Sequence, residues 1–112
     1  MKFDSEKELV GRLDKRITIF RQTDEKDQYN EPLDIWLPVV ILWAAVEPLR
    51  GREYFAAMAE HADVTTRIRI RYREGIDRTM RARCGNTKFE ILHIIHPEFN
   101  RRELQLMCKE RQ

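Results

Sequence analysis

Val64-Thr65-Thr66-Arg67-Ile68-Arg69-Ile70-Arg71-Tyr72-Arg73 is the stretch on which the reading of the fold turns. Ile68, Ile70 and Tyr72 alternate with Arg67, Arg69, Arg71 and Arg73, and a strand sends successive side chains to opposite faces. The pattern predicts a half-buried strand with one apolar face and one wet face carrying four arginines.

C-terminal to it, Glu74-Gly75 reads as a turn, Met80–Cys84 as a short strand, and Gly85-Asn86 as a tight turn whose residues tolerate positive φ. Lys88–His96 reads as a strand stopped by Pro97. Arg102–Lys109 closes the fold, with Leu104, Leu106 and Cys108 on one side and Glu103, Gln105, Met107 and Lys109 on the other.

On the N-terminal side, Glu53–His61 is the best helical window, rich in Ala, Glu and Met after the turn Leu49-Arg50-Gly51-Arg52. Its apolar residues are more than a short surface helix can bury alone, which points to a partner contact. Trp36–Pro48 is strand-like; Pro38 cannot donate to a ladder, so it belongs at a strand start, edge or bulge, and the strand proper is expected from Val40 to Val46. Trp43, inside that strand, is assigned to the core, whereas Trp36 fits core or interface. Gln22–Leu33 is polar and reads as a surface loop. Arg16–Arg21 is a strand with Ile17 and Ile19 on one face, and Asp4–Asp14 fits either a short capped helix, with Ser5 and Glu8 as its capping box, or a loose arm.

About six short strands, one short helical insertion, a long loop and no βαβ alternation predict a mainly β fold, a small antiparallel barrel or sandwich. The 112 residues form one domain, 1–112, with residues 1–10 as an N-terminal extension or short helix. Twenty-one Lys and Arg against nineteen Asp and Glu leave +2, which argues against a protein that coats nucleic acid. No apolar run is long enough to span a bilayer, and the charged start Met1–Glu8 does not resemble a secretory leader. Cys84 and Cys108 are read as reduced thiols.

The chemistry-bearing residues do not assemble into a catalytic pattern. His93 and His96 are three apart on a strand and point to opposite faces, the two cysteines have no ligand-spaced partner, and Glu53 and Glu60 lack a cleft. No catalytic, cofactor or metal site, no small-molecule substrate and no membrane partner are expected. A small hydrolase would need a cleft uniting His61, His93 or His96 with a carboxylate.

An ordered set of residues resembles the phage head–tail joining proteins, also called adaptor, head closure or stopper proteins. It runs Gly11-x-Leu13 with Arg16-Ile17-Thr18-Ile19, Trp36, and Trp43-Ala44-x-Val46-Glu47-Pro48-Leu49-x-Gly51-Arg52-Glu53-Tyr54. It continues with Ile68-x-Ile70-Arg71-Tyr72, Gly75-Ile76, Phe89-x-Ile91, Arg101-Arg102-x-Leu104 and Cys108-Lys109-Glu110. Two departures stand out: Tyr29-Asn30 where the family has Tyr-Gly, and a longer start, Met1–Val10.

The resemblance implies a β-barrel-like subunit of a ring, a dodecamer in the virion, below portal and adaptor proteins and above tail-terminator proteins. Such a ring closes the DNA exit channel of the filled capsid, with no enzyme activity. The subunit would be found in the host cytoplasm before assembly and at the head–tail interface of the virion afterwards. The expected subunit interface is Arg52, Glu53, Tyr54, Phe55 and Met58 with Arg67, Arg69, Arg71 and Arg73. The expected channel or gating loop is Asp24, Glu25, Lys26, Asp27, Gln28 and Tyr29, which also reads as an ordinary hairpin tip.

The arginine row has three readings: a solvated face paired with cross-strand acids, a subunit contact, or a surface near packaged DNA. An alternative function is a small β-barrel nucleic-acid-binding module using Arg67–Arg73. That reading needs aromatics interleaved with the arginines, whereas Tyr72 is expected on the opposite face.

Overall fold

The computed structural model describes residues 13–60, 63–96 and 102–111, with side chains 56–60 outside the description. Its elements are β1 (Lys15–Gln22), β2 (Trp36–Pro48), α1 (Gly51–Glu60), β3 (Thr66–Arg71), β4 (Arg81–Cys84), β5 (Thr87–Ile95) and β6 (Glu103–Arg111). The strands close into an antiparallel barrel in the order β1-β2-β3-β6-β5-β4, with β4 returning to β1. Closure decides between the two expected architectures in favour of the barrel.

The alternating residues supply the interior. Ile17 and Ile19 from β1, Ile68 and Ile70 from β3, Ile91 from β5, and Leu104, Leu106 and Cys108 from β6 are all at most 2% exposed. They form one cluster with Ala44, Ala82 and Phe89. A second cluster lies outside the barrel wall, where Leu49, Val64 and Met107 pack with Tyr54 of α1, Leu92 and Ile95. The stretch 4–14, expected as a short helix or a loose arm, lies almost wholly outside the described residues; of it Leu13 and Asp14 are described, with Leu13 packed on Ala45.

β2 is longer than expected. Pro38 is accommodated by a register shift: Ile19 opposes Val40 and Phe20 opposes Pro38, so Val39 bulges out of the ladder. Trp43 overturns its expected place in the core. It is 52% exposed, because alternation turns Leu42 and Ala44 inward and Trp43 outward, against Arg16, whose guanidinium carbon is 4.7 Å from its ring centre. A small barrel has room for Ala44 at that level and puts the indole outside.

The wet arginine face is also corrected. β3 ends at Arg71, Tyr72 is half-buried against the core, and Arg69, on the outer side, is only 9% exposed. Glu47 on β2 and Glu103 on β6 flank it, and they account for its burial.

Candidate assembly surface

β3 lies between β2 and β6, so Arg67 faces Glu47 in register and Arg71 faces Glu103. The side chains slant across this grid. Arg69 donates from Nε to Glu47 Oε1 at 2.7 Å and from Nη1 to Glu103 Oε1 at 2.9 Å; Arg67 donates from Nε to the same Glu47 oxygen at 3.2 Å and reaches Glu53 of α1 at 3.4 Å. Burial opposes the charge on Glu47, but hydrogen bonds from Arg69 and Arg67 outweigh it and hold the carboxyl below its usual range. Burial likewise opposes the charge on Arg69, and Glu47 and Glu103 more than restore it. The first half of the row is therefore neutralised by cross-strand acids and ties α1 to the barrel wall, while Arg71 and Arg73 remain exposed.

In α1, Arg52, Glu53 and Phe55 are exposed, with Phe55 at 71%, and Tyr54 is half-buried with its ring edge-on to Phe55 at 5.8 Å. Met58 lies in the helix, its side chain outside the description.

The loop between β1 and β2 is a hydrogen-bonded hairpin extension. Asp27 Oδ1 accepts from the amides of Tyr29 and Glu31 at 2.8 and 3.0 Å, Lys26 bridges to Pro32, and Thr23 N donates to Ile35 O at 2.8 Å. Asn30 adopts φ +65°, a left-handed conformation that asparagine tolerates, so it serves where the family pattern has glycine. Asp24, Glu25, Gln28 and Tyr29 are exposed, Lys26 is exposed, and Asp27 is half-buried by its turn.

The feature that sequence reasoning missed is on β2. Among the described residues, five of the seven exposed large hydrophobics, Ile35, Leu37, Val39, Ile41 and Trp43, fall within nine positions. From Trp36 to Trp43, β2 pairs with β1 alone; β3 joins it only from Ala44 onward. Among the described residues this stretch has no neighbour on its other side. A cleft of about 420 Å³ opens where β2 parts from the chain after β3, lined by Leu13, Ile41, Leu42, Trp43, Arg71, Tyr72 and Arg73. The signal that could have found it is the density of apolar residues around a proline, which exceeds what one strand face buries.

Among the described residues no group of three His, Cys, Asp or Glu is placed to hold a metal. Cys84 and Cys108 are free thiols, and burial pushes the Cys108 thiol up to about 12. A closed barrel whose buried Arg69 is satisfied internally, and whose exposed apolar residues gather mostly along β2, is built to make protein contacts.

Comparison with known proteins gives that class its family. Residues 9–111 match the phage head completion proteins, and the chain belongs to that family. It is similar to head completion protein gp7 of Enterobacteria phage HK97, 29% identical over 104 residues that cover 88% of this chain and 93% of the relative. It is also similar to the solution structure of protein SF1141 from Shigella flexneri 2a, with a TM-score of 0.72 and 29% identity over 90% of this chain and 95% of that one. The resemblance to head–tail joining proteins is thereby upheld: the chain is a structural component of the phage head and of the virion, in a family that is not an enzyme family.

Proposed function

We propose that this chain is a ring-forming subunit of the head–tail connector, which closes the DNA exit channel and joins the filled capsid to the tail. The observation that carries the reading is the exposed apolar segment Ile35–Trp43 on the one-sided stretch of β2. Apolar residues gathered at one place on a small protein mark a protein contact, and a head-to-tail contact repeated through a fixed rotation closes a ring. In this reading the segment meets the next copy. α1, with Tyr54 and Phe55, and the exposed Arg71 and Arg73 add polar and aromatic contacts to it or to the stacked neighbours. Those neighbours are portal or adaptor proteins above and tail-terminator proteins below. The ring is dodecameric, and the acidic hairpin Asp24–Tyr29 projects into its lumen. Before assembly the subunit resides in the host cytoplasm.

The test is the double variant Ile41→Glu/Trp43→Glu, introduced into the phage that carries this chain and examined by electron microscopy of purified particles. Both side chains are exposed, so circular dichroism should be unchanged. The expected result is capsids without tails that lose their DNA; a normal yield of tailed, filled particles would overturn the proposal.

A further inference from the structure

The barrel carries two groups of cations, and only one is neutralised. Arg67 and Arg69 are answered by Glu47, Glu53 and Glu103. On the opposite wall, Arg83 of β4 stands in register with Lys88 of β5, and Lys88 with Arg111 of β6. Three cations thus occupy neighbouring positions across three strands about 4.8 Å apart, and Arg81 lies two residues along β4 on the same outer face. Like charges directly opposite one another destabilise a sheet. Glu90 opposes Arg81 in register, yet none of the four cations has a carboxylate within ion-pair distance among the described residues.

The guanidinium groups are also held in place. The Arg81 guanidinium carbon lies 3.8 Å from the centre of the Trp36 ring, and that of Arg83 lies 5.1 Å from the Phe20 ring. Trp36 is itself fixed by donating from Nε1 to Asp34 Oδ1 at 2.8 Å. These residues line a cleft of about 190 Å³ with Lys88 and Arg111. Stacking immobilises a guanidinium through its face and leaves its edge N–H groups to bind an anion.

We infer that the row Arg81, Arg83, Lys88 and Arg111 binds the phosphate backbone of DNA. The two guanidiniums lie against the Trp36 and Phe20 rings, with Lys88 and Arg111 beside them at the cleft. The cleft presents four clustered cations, two of them held by rings, and such donors position a phosphate backbone without reading bases. The whole-chain charge of +2 conceals this because, apart from Glu90 opposite Arg81, most acids lie elsewhere, on β2, α1, β6 and the β1–β2 and β3–β4 loops. The inference does not rest on the ring reading, since its cations stand on β4, β5 and β6 and it shares with the Ile35–Trp43 segment only the Trp36 ring behind Arg81.

The experiment is fluorescence anisotropy of a short labelled DNA duplex titrated with the full chain at increasing salt. Four phosphate contacts give a slope of log K against log salt near −3.6, about −0.9 for each. Arg83→Gln/Lys88→Gln should roughly halve that slope and weaken binding at least tenfold at about 50 mM salt, whereas Arg71→Gln/Arg73→Gln should leave both unchanged. All four positions are exposed, so circular dichroism checks that the variants remain folded. No binding at low salt, or equal losses in the two double variants, would overturn the inference. So would a synthetic peptide of residues 22–33 that binds the row in place of DNA, which would make the site a contact between copies. Ile41→Glu/Trp43→Glu should bind DNA as the parent does, which separates this result from the assembly test.

Discussion

Arg69 shows how much one side chain can organise. It is buried between two carboxylates, and its removal would leave Glu47 and Glu103 facing each other without the cation that compensates both. Breaking a buried pair at one partner costs about 3 kcal/mol, whereas an exposed surface change stays within about 0.5 kcal/mol. Urea denaturation of Arg69→Ala and Arg71→Ala should therefore separate widely, the first strongly destabilised and the second close to the parent. The same network has an acid limit. The Glu47 carboxyl lies below its ordinary 4.5 in the folded protein, so its contribution is complete above that value and is lost as pH falls through the lowered one. Acid titration of Glu47→Gln should show a shallower loss of stability below pH 4.5 than the parent; an identical acid limb would mean that the carboxylate adds nothing.

At the scale of elements, turn chemistry was legible, and so were the places open to Pro38, of which the structure takes the bulge. Gly85 takes φ +59° in the two-residue connection between β4 and β5, with open space where a Cβ would point. Gly85→Ala should cost about 1 kcal/mol through the backbone alone. Asn30→Gly, at φ +65°, should remain within about 0.5 kcal/mol of the parent in the same thermal or urea unfolding measurement. Period two in Arg16–Arg21, Val64–Arg73 and Arg102–Lys109 announced β1, β3 and β6 because each has one face against the interior. The exposure of Trp43 could not be read locally, since it depends on the phase of β2 against β1 and on how little room the barrel leaves at Ala44. The burial of Arg69 depends on Glu47, twenty-two residues away, and on Glu103, thirty-four away. The cationic row is scattered over three strands in sequence and becomes a row only through register.

For the whole molecule, closure makes the interior a single cooperative unit, because every strand is held on both sides for at least part of its length. Cys108 lies at 0% exposure within that unit, whereas Cys84 at the β4–β5 turn is half-exposed. An alkylating reagent should label one thiol readily in native buffer, and the second should follow the global unfolding transition as urea is raised. Two thiols reacting at the same rate without denaturant would show that the barrel opens locally. Of the candidate assembly surface, α1 was singled out by its surplus of apolar residues, while the exposure of Ile35–Trp43 was not read, Trp43 being assigned to the core and Trp36 to core or interface.

The open stretch of β2 also carries a hazard and its remedy. A strand with apolar side chains and free backbone groups is a template on which stray chains can stack without limit. Here that stretch holds Pro38, which lacks an amide hydrogen, and the irregular Val39 beside it, so an added strand could not keep an unbroken ladder. The same two residues that spoil a regular strand thus guard the protein against fibrous growth while leaving its sticky side chains free for a finite, specific partner.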